Sequence, residues 1–232
     1  MLVSAAHFSL LIDCGPTVPA ALFRRGGSPE ELDAVYLTHN HPDHVLGLTT
    51  LLNWMASQGR SKPLQLICQP EQQPRLQQLV AHAHWPEPAL PFALRWIHAG
   101  DALSLGPWQW AFYPTRHAVP NHSLLLIGAG GRLFYSGDGA LSAEGAAAAA
   151  SADLLFLECE YLAPHPSHGS WRACQQLARQ PGSLAVLYHL DPACRMALAH
   201  ELATAGVGDA AGWQLAEDGL RWQLPLSTGG AH

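Results

Sequence analysis

The segment Thr38-His39-Asn40-His41-Pro42-Asp43-His44 sets three imidazoles and one carboxylate within the six positions 39 to 44, directly after a mostly apolar run, Leu32 to Leu37. Imidazole and carboxylate are the side chains that bind zinc, iron and manganese. Crowded into a solvated loop, four of them would repel one another once partly protonated unless a cation held them. The segment therefore reads as half of a metal site. On an extended chain His39 and His41 project to one side, while Asp43 and His44, at the turn into the next helix, can point elsewhere, so one loop can serve two ions. Three later positions have the same character: His117 after a strand at Trp108 to Tyr113, Asp138 in Ser136-Gly137-Asp138-Gly139, and His189 at the end of a strand at Leu184 to Tyr188. Each sits where a strand ends, which in layered α/β proteins is where loops gather into a site.

Around these positions, short β-branched or aromatic runs alternate with amphipathic helical ones, which indicates an α/β architecture. Strands are expected at Phe8 to Asp13, Ala34 to Leu37, Leu64 to Cys68, Leu94 to His98, Trp108 to Tyr113, Ser123 to Ile127, Leu133 to Ser136, Leu154 to Glu158, Leu184 to Tyr188, Trp213 to Ala216 and Leu220 to Gln223. Helices are expected at His44 to Met55, Glu71 to His84, Trp171 to Arg179 and Ala193 to Ala205, with a short one over Ala146 to Ala150. Ser28-Pro29-Glu30-Glu31 carries capping-box spacing with proline at the first helical position, so a further helix should start there. Strands from Trp108 to Ser136 follow one another without intervening helices and should be antiparallel, which makes the sheet mixed. No Gly-x-Gly-x-x-Gly turn follows a strand, so a dinucleotide fold is not indicated.

The chain has 232 residues, enough for one large domain spanning 1–232, and no internal repeat. A net charge of −6, with Lys62 the sole lysine, excludes a broad electrostatic footprint for duplex nucleic acid. Five cysteines, odd in number, scattered and without a Cys-x-x-Cys pair, indicate neither a disulfide framework nor a zinc ribbon, and point to a reducing cytoplasm. Met1 to Ile12 is apolar but lacks a basic leader, and no run is long enough to span a membrane.

The ordered set Asp13-Cys14-Gly15, His39, His41, Asp43, His44, His117, Asp138 and His189 resembles the metallo-β-lactamase superfamily, whose signature loop is His-x-His-x-Asp-His. The resemblance implies a four-layer αββα sandwich of two mixed sheets. It assigns His39, His41 and His117 to one metal ion, Asp43, His44 and His189 to a second, and Asp138 to both. Asp43-His44-Val45-Leu46-Gly47-Leu48 is similar to the phosphodiesterase branch that includes ribonuclease Z and the phosphonate-pathway cyclic phosphodiesterases. His168 in His168-Gly169-Ser170 resembles the residue that, in this branch, contacts phosphate and protonates the leaving oxygen. Glu158 resembles an acidic residue that would orient it, with Glu160 a rival and His165 nearby. Catalysis is thus expected to involve His168, Glu158 and Asp43. Only 21 positions separate His117 from Asp138, where ribonuclease Z inserts its arm for transfer RNA, so full-length transfer RNA is not the expected substrate. The family also opens with a Gly/Ser-rich strand well before Asp13, so here either the start is truncated or one sheet lacks an edge strand, leaving backbone for a partner subunit to cover, hence an expected homodimer.

Two divalent ions of such a site, zinc with manganese or iron as alternatives, lie roughly 3.5 to 4 Å apart and share a water whose pKa falls towards about 7. The expected function is hydrolysis of small or cyclic phosphodiesters by that bridging hydroxide. The alternatives are a thioester, lactone or β-lactam hydrolase of the same fold, and a non-catalytic binding or carrier protein that retains it.

Overall fold

The computed structural model describes residues 1–100, 103–204 and 212–225. The chain forms two compact units, Met1–Asp101 and Ala102–His232. In the first, strands β1 (Leu2–Ala5) and β2 (Phe8–Ile12) are followed by helix α1 (Val18–Arg24), β3 (Ala34–Tyr36), α2 (Pro42–Val45), α3 (Gly47–Ser57), β4 (Leu64–Cys68), α4 (Gln73–His84) and β5 (Leu94–His98). The sheet order is β1-β2-β3-β4-β5, antiparallel between β1 and β2 and parallel thereafter. Parallel strands covered on both faces are expected to be apolar throughout, and Ala34, Val35 and Tyr36 of β3 are all fully buried. Helix α3 buries Leu48, Leu51, Leu52 and Met55, the i, i+3, i+4 and i+7 stripe, in one cluster with Leu11, Val35 and Leu66. Each such side chain contributes about 1.5–3 kcal/mol by leaving water.

Three expectations change in this unit. The sheet edge taken to be missing is occupied by β1, joined to β2 through Ala6 at φ +52°. An alanine in left-handed backbone carries no turn signature, so the hairpin was illegible. The helix expected from Ser28 is a turn, closed by Glu31 N–H to Ser28 O at 3.0 Å. The capping-box acid, Glu31, is taken by the Arg25 guanidinium instead, while Glu30 accepts the Ser61 amide at 2.7 Å. The helix itself lies earlier, at α1. Finally, the single helix expected from His44 to Met55 breaks after α2, because Gly47 N–H donates to Cys14 O at 2.8 Å rather than continuing the helix.

The second unit contains β6 (Leu103–Leu105), β7 (Trp108–Arg116), β8 (His122–Gly128), β9 (Gly131–Tyr135), β10 (Ala140–Leu141), α5 (Ala143–Ala150), β11 (Leu154–Glu158), α6 (Trp171–Gln175), β12 (Leu184–Tyr188), α7 (Pro192–Thr204) and β13 (Trp213–Leu215). Its sheet order is β10-β7-β8-β9-β11-β12-β13, with β6 also on β7. Strands β7, β8 and β9 are antiparallel as expected, and β9, β11, β12 and β13 are parallel. The tight β8–β9 hairpin uses most of the interval between His117 and Asp138, so no arm projects there. Helices α5 and α6 start on the hydroxyls of Ser142 and Ser170, which accept from Gly145 N–H and Ala173 N–H. Helix α6 stops at Gln175, short of the expected Arg179, whose guanidinium bonds Ser183 O and Gly212 O and lies 4.1 Å over the Trp213 ring. Leu220 to Gln223 is not a strand: Trp222 anchors it by donating to Gln214 Oε1 at 3.0 Å and meeting Phe156 edge-on at 5.3 Å. Side-chain anchoring replaces the ladder there. Ala205, the expected end of the last helix, lies outside the described residues.

Candidate metal centre

In the first unit the loop between β3 and α2 is tied down from three directions. Asp13, at the end of β2, accepts from Thr38 N–H at 2.9 Å, from Thr38 Oγ1 at 3.0 Å and from His44 Nδ1 at 2.9 Å. Gln69, after β4, donates to Thr38 O at 2.8 Å. Cys14 N–H donates to His44 O at 2.7 Å. These bonds bury His39 and His44, at 0% and 5% exposure, while Asp43 stays largely exposed. Burial would raise the Asp13 carboxyl, but the His44 imidazole and the Thr38 hydrogen bond outweigh it and hold the group below the usual carboxylate range.

The outcome is a set of aligned ring nitrogens. Thr38 Oγ1 donates to Asp13 and so accepts Nδ1–H of His39 at 3.1 Å, leaving Nε2 of His39 with its lone pair. His44 is likewise fixed by Asp13 through Nδ1, with its Nε2 3.3 Å from Asp43 Oδ2. His39 Nε2 and His41 Nδ1 lie 3.0 Å apart, near the roughly 3.3 Å separating two nitrogens on a tetrahedral ion with bonds of about 2.0–2.1 Å. A metal-binding histidine typically donates its other ring N–H to a carboxylate, carbonyl or hydroxyl, and this loop has that arrangement.

The second unit gathers the remaining residues at the ends of β7, β9, β11 and β12. His117 follows β7 and donates Nδ1–H to Ser167 O at 2.9 Å, again leaving Nε2. Asp138 is buried in the turn after β9, where Asn121 Nδ2 and Thr115 Oγ1 both reach its main-chain oxygen at 2.6 Å. Gly137 (φ +59°) permits that turn, since a Cβ there would lie 2.7 Å from Asn121. His189 takes φ +52° just past β12, placing Nε2 3.5 Å from Asp138 Oδ2 and Nδ1 3.8 Å from Glu158 Oε1. Glu158 closes the group. Its Oε1 accepts His168 Nδ1–H at 2.7 Å, and its Oε2 accepts Gly139 N–H at 2.5 Å and Gly169 N–H at 2.8 Å. Burial and the neighbouring Asp138 carboxylate push the Glu158 carboxyl above its ordinary range, against the pull of those hydrogen bonds.

His168 meets the His117 ring edge-on at 4.9 Å. Glu160 Oε2 comes within 2.6 Å of His168 Nδ1 but makes no hydrogen bond, so it supplies a second negative charge while Glu158 is the acceptor. His165 serves the loop, accepting Ser167 N–H at 3.3 Å and lying against Tyr161. Within this unit the ligand atoms of Asp138, Glu158 and His168, and those of Glu158, Glu160 and His189, lie within 4.8 Å of one another. The residue types and their fixed ring orientations suit divalent metal binding.

A profile of the family described as anti-Pycsar protein Apyc1 matches residues 1–205. The chain belongs to that family. The anti-Pycsar protein Apyc1 of Saccharibacillus brassicae is 34% identical over 142 residues, covering 59% of this chain and 58% of that one. The ribonuclease Z of Lachnospira eligens is 33% identical over 115 residues, 48% of this chain and 36% of that one. The chain thus spans little more than half of the first relative and about a third of the second. The crystal structure of the metallo-β-lactamase fold protein YhfI from Bacillus subtilis superposes with a TM-score of 0.77 at 24% identity, over 96% of this chain and 90% of that one. The Apyc1 family chain therefore has the metallo-β-lactamase fold, two mixed sheets with their helices.

Sequence order alone did not reveal Thr38, Ser167, Asn121 or Gln69 as supports of the ligands. Asp13 stood out only as part of Asp13-Cys14-Gly15, with no hint that it orients His44.

Proposed function

We propose that this chain is a metal-dependent phosphodiesterase acting, as a single hydrolase domain, on small or cyclic phosphodiesters, cyclic nucleotides among them. The observation that carries the reading is the Glu158–His168 pair, a histidine fixed by a 98% buried carboxylate at 2.7 Å. A phosphodiester releases an alkoxide that needs a proton, and a histidine so oriented is a general acid.

In this reading His39, His41 and His117 would hold one divalent cation and Asp43, His44 and His189 a second, with Asp138 available to both, zinc being the proposed metal and manganese or iron the alternatives. When bound, such a pair supplies an activated water and neutralises phosphate charge. The chain's own residues do the rest. Asp13, Thr38 and Ser167 hold the imidazoles in one tautomer, so that no reorientation is needed at the moment of reaction. His168, its Nδ1–H engaged by Glu158, keeps Nε2 to carry the proton to the leaving oxygen. Glu158 also pins the amides of Gly139 and Gly169, tying the Asp138 turn to the His168 loop.

Metal analysis of the purified protein, alongside hydrolysis of bis-p-nitrophenyl phosphate, a cyclic nucleotide and a thioester, tests this. Bound divalent metal with turnover of the two phosphodiesters is expected. Preference for the thioester would overturn it. Full-length transfer RNA is proposed not to be a substrate, given the short β8–β9 hairpin. A cytoplasmic location is supported by five free cysteines, and among the described residues no helix is long and apolar enough to cross a membrane. The homodimer is proposed to pair through the outer edge of β1, and a monomeric mass by light scattering at micromolar concentration would count against it.

A further inference from the structure

The two carbonyls on either side of the Asp138 α-carbon each receive two side-chain donors. Asp138 O takes Thr115 Oγ1 and Asn121 Nδ2, both at 2.6 Å, and Gly137 O takes Ser136 Oγ at 2.7 Å and Tyr188 Oη at 2.9 Å. A carbonyl oxygen has two lone pairs, so both oxygens are saturated. Ser136 adjoins the turn in sequence, and Thr115 and Asn121 stand where β7 and β8 meet. Tyr188 comes from further away. It ends β12, and the order β9-β11-β12 puts it two strands from the turn that follows β9. Neighbouring strands lie about 4.7–4.9 Å apart, so the two backbones are separated by roughly 9.5 Å. A serine, threonine or asparagine would fall short of that span, whereas a phenol covers it. The Tyr188 ring is kept on course by stacking on Tyr135, with centroids 4.9 Å apart. Its hydroxyl also lies 3.3 Å from Ser136 Oγ, which donates to Gly137 O and accepts Glu158 N–H at 2.8 Å.

The next residue is His189, which leaves the sheet at φ +52° and brings Nε2 to 3.5 Å from Asp138 Oδ2. Two consecutive residues at the end of β12 therefore meet the Asp138 turn, one at its main chain and one at its carboxylate. We propose that Tyr188 is a positioning residue for the metal centre: its hydroxyl, bearing on Gly137 O while Thr115 and Asn121 hold Asp138 O, sets the aim of the Asp138 carboxylate and its separation from His189. The assignment rests on the metal-dependent reading above. Loss of the hydroxyl leaves Gly137 O with one donor of its two and lets the peptide tilt. Metal–ligand distances tolerate deviations of only about 0.2 Å, so a small displacement of the carboxylate is felt at the ion.

Titration of the metal-free full chain with cobalt(II), followed by its visible absorption, tests this without reference to turnover. Tyr188→Phe keeps the ring and its stack on Tyr135 and removes only the donor. It should bind cobalt about tenfold more weakly, with altered absorption bands, while the urea midpoint of the metal-free protein stays at the wild-type value. Hydrolysis of bis-p-nitrophenyl phosphate by Tyr188→Phe should fall about tenfold at limiting metal and recover when metal is raised about tenfold, which loss of a proton donor would not allow. Thr115→Val removes a donor from the other carbonyl and should weaken cobalt binding in the same direction, so it reads the brace even if Tyr188→Phe fails to fold. Wild-type cobalt affinity and spectrum in Tyr188→Phe, or in Thr115→Val should the first not fold, overturn the assignment and leave the metal-dependent reading standing. Weaker binding accompanied by a lower urea midpoint of the metal-free variant shows general loosening and overturns it as well. A wild-type protein that takes up no divalent metal refutes the metal-dependent reading itself and this assignment with it.

Discussion

Asp13 accepts the Nδ1–H of His44 at 2.9 Å from a backbone held at φ +58°. Left-handed backbone costs an ordinary residue about 1–2 kcal/mol. It is retained here because it turns one carboxylate towards both His44 and Thr38, and through Thr38 towards His39.

Asp13→Asn preserves shape but cannot accept from Thr38 and His44 equally well. Metal affinity should fall about 10–100-fold, measured by competition with a chromophoric chelator, and affinity equal to wild type would show that Asp13 does not set the ligand orientation.

Gly47 meets the Asp13-Cys14-Gly15 segment so closely that a Cβ would lie 2.1 Å from Gly15 O. Gly47→Ala must push the metal loop from its seat, with a loss of about 1–3 kcal/mol or more. Gly26 has nothing within 4 Å of its own Cβ position, and Gly26→Ala should cost only the roughly 1–2 kcal/mol of its φ of +75°. Urea titration of both variants, with metal content, separates steric displacement from backbone strain.

His168→Ala should keep its metal and lose about 10²–10⁴ in kcat on a phosphodiester, whereas Asp138→Ala should lose metal and turnover together. Elemental analysis beside initial rates distinguishes them, and a fully active His168→Ala would remove that residue from the mechanism.

Arg60 is 2% exposed and donates to the carbonyls of Pro29, Leu32, Lys62 and Pro63. Burial lowers its affinity for the proton, while Glu30 and Asp33 oppose that. Lysine lacks the planar fork that reaches four acceptors at once. Arg60→Lys should therefore destabilise by about 1.5–3 kcal/mol in chemical denaturation, with metal content unchanged in the folded fraction.

The candidate histidines and aspartates stand out in the sequence because their chemistry is written in residue type and order: a dense His/Asp loop, then single His or Asp residues at strand ends. Strands such as Leu64–Cys68, Leu94–His98, Leu154–Glu158 and Leu184–Tyr188 match their expected bounds, since alternation and apolar runs encode burial within a few residues. The Ser28 helix and the Leu220 strand misled for the converse reason, as Glu31 is drawn back to Arg25, Glu30 reaches Ser61, and Trp222 packs on Phe156, commitments that propensity and alternation do not encode.

The order of residues was enough to name the fold and to single out the candidate metal-binding residues, because each depends on residue type at a position that local pattern locates. Folding chose the partners: Asp13 for His44 from 31 residues away, Asn121 for Asp138 from 17, Ser167 for His117 from 50. Which acceptor meets a given ring nitrogen depends on how strands far apart in the chain are paired and where each one ends, and that is a property of the packed sheet rather than of any short stretch of chain.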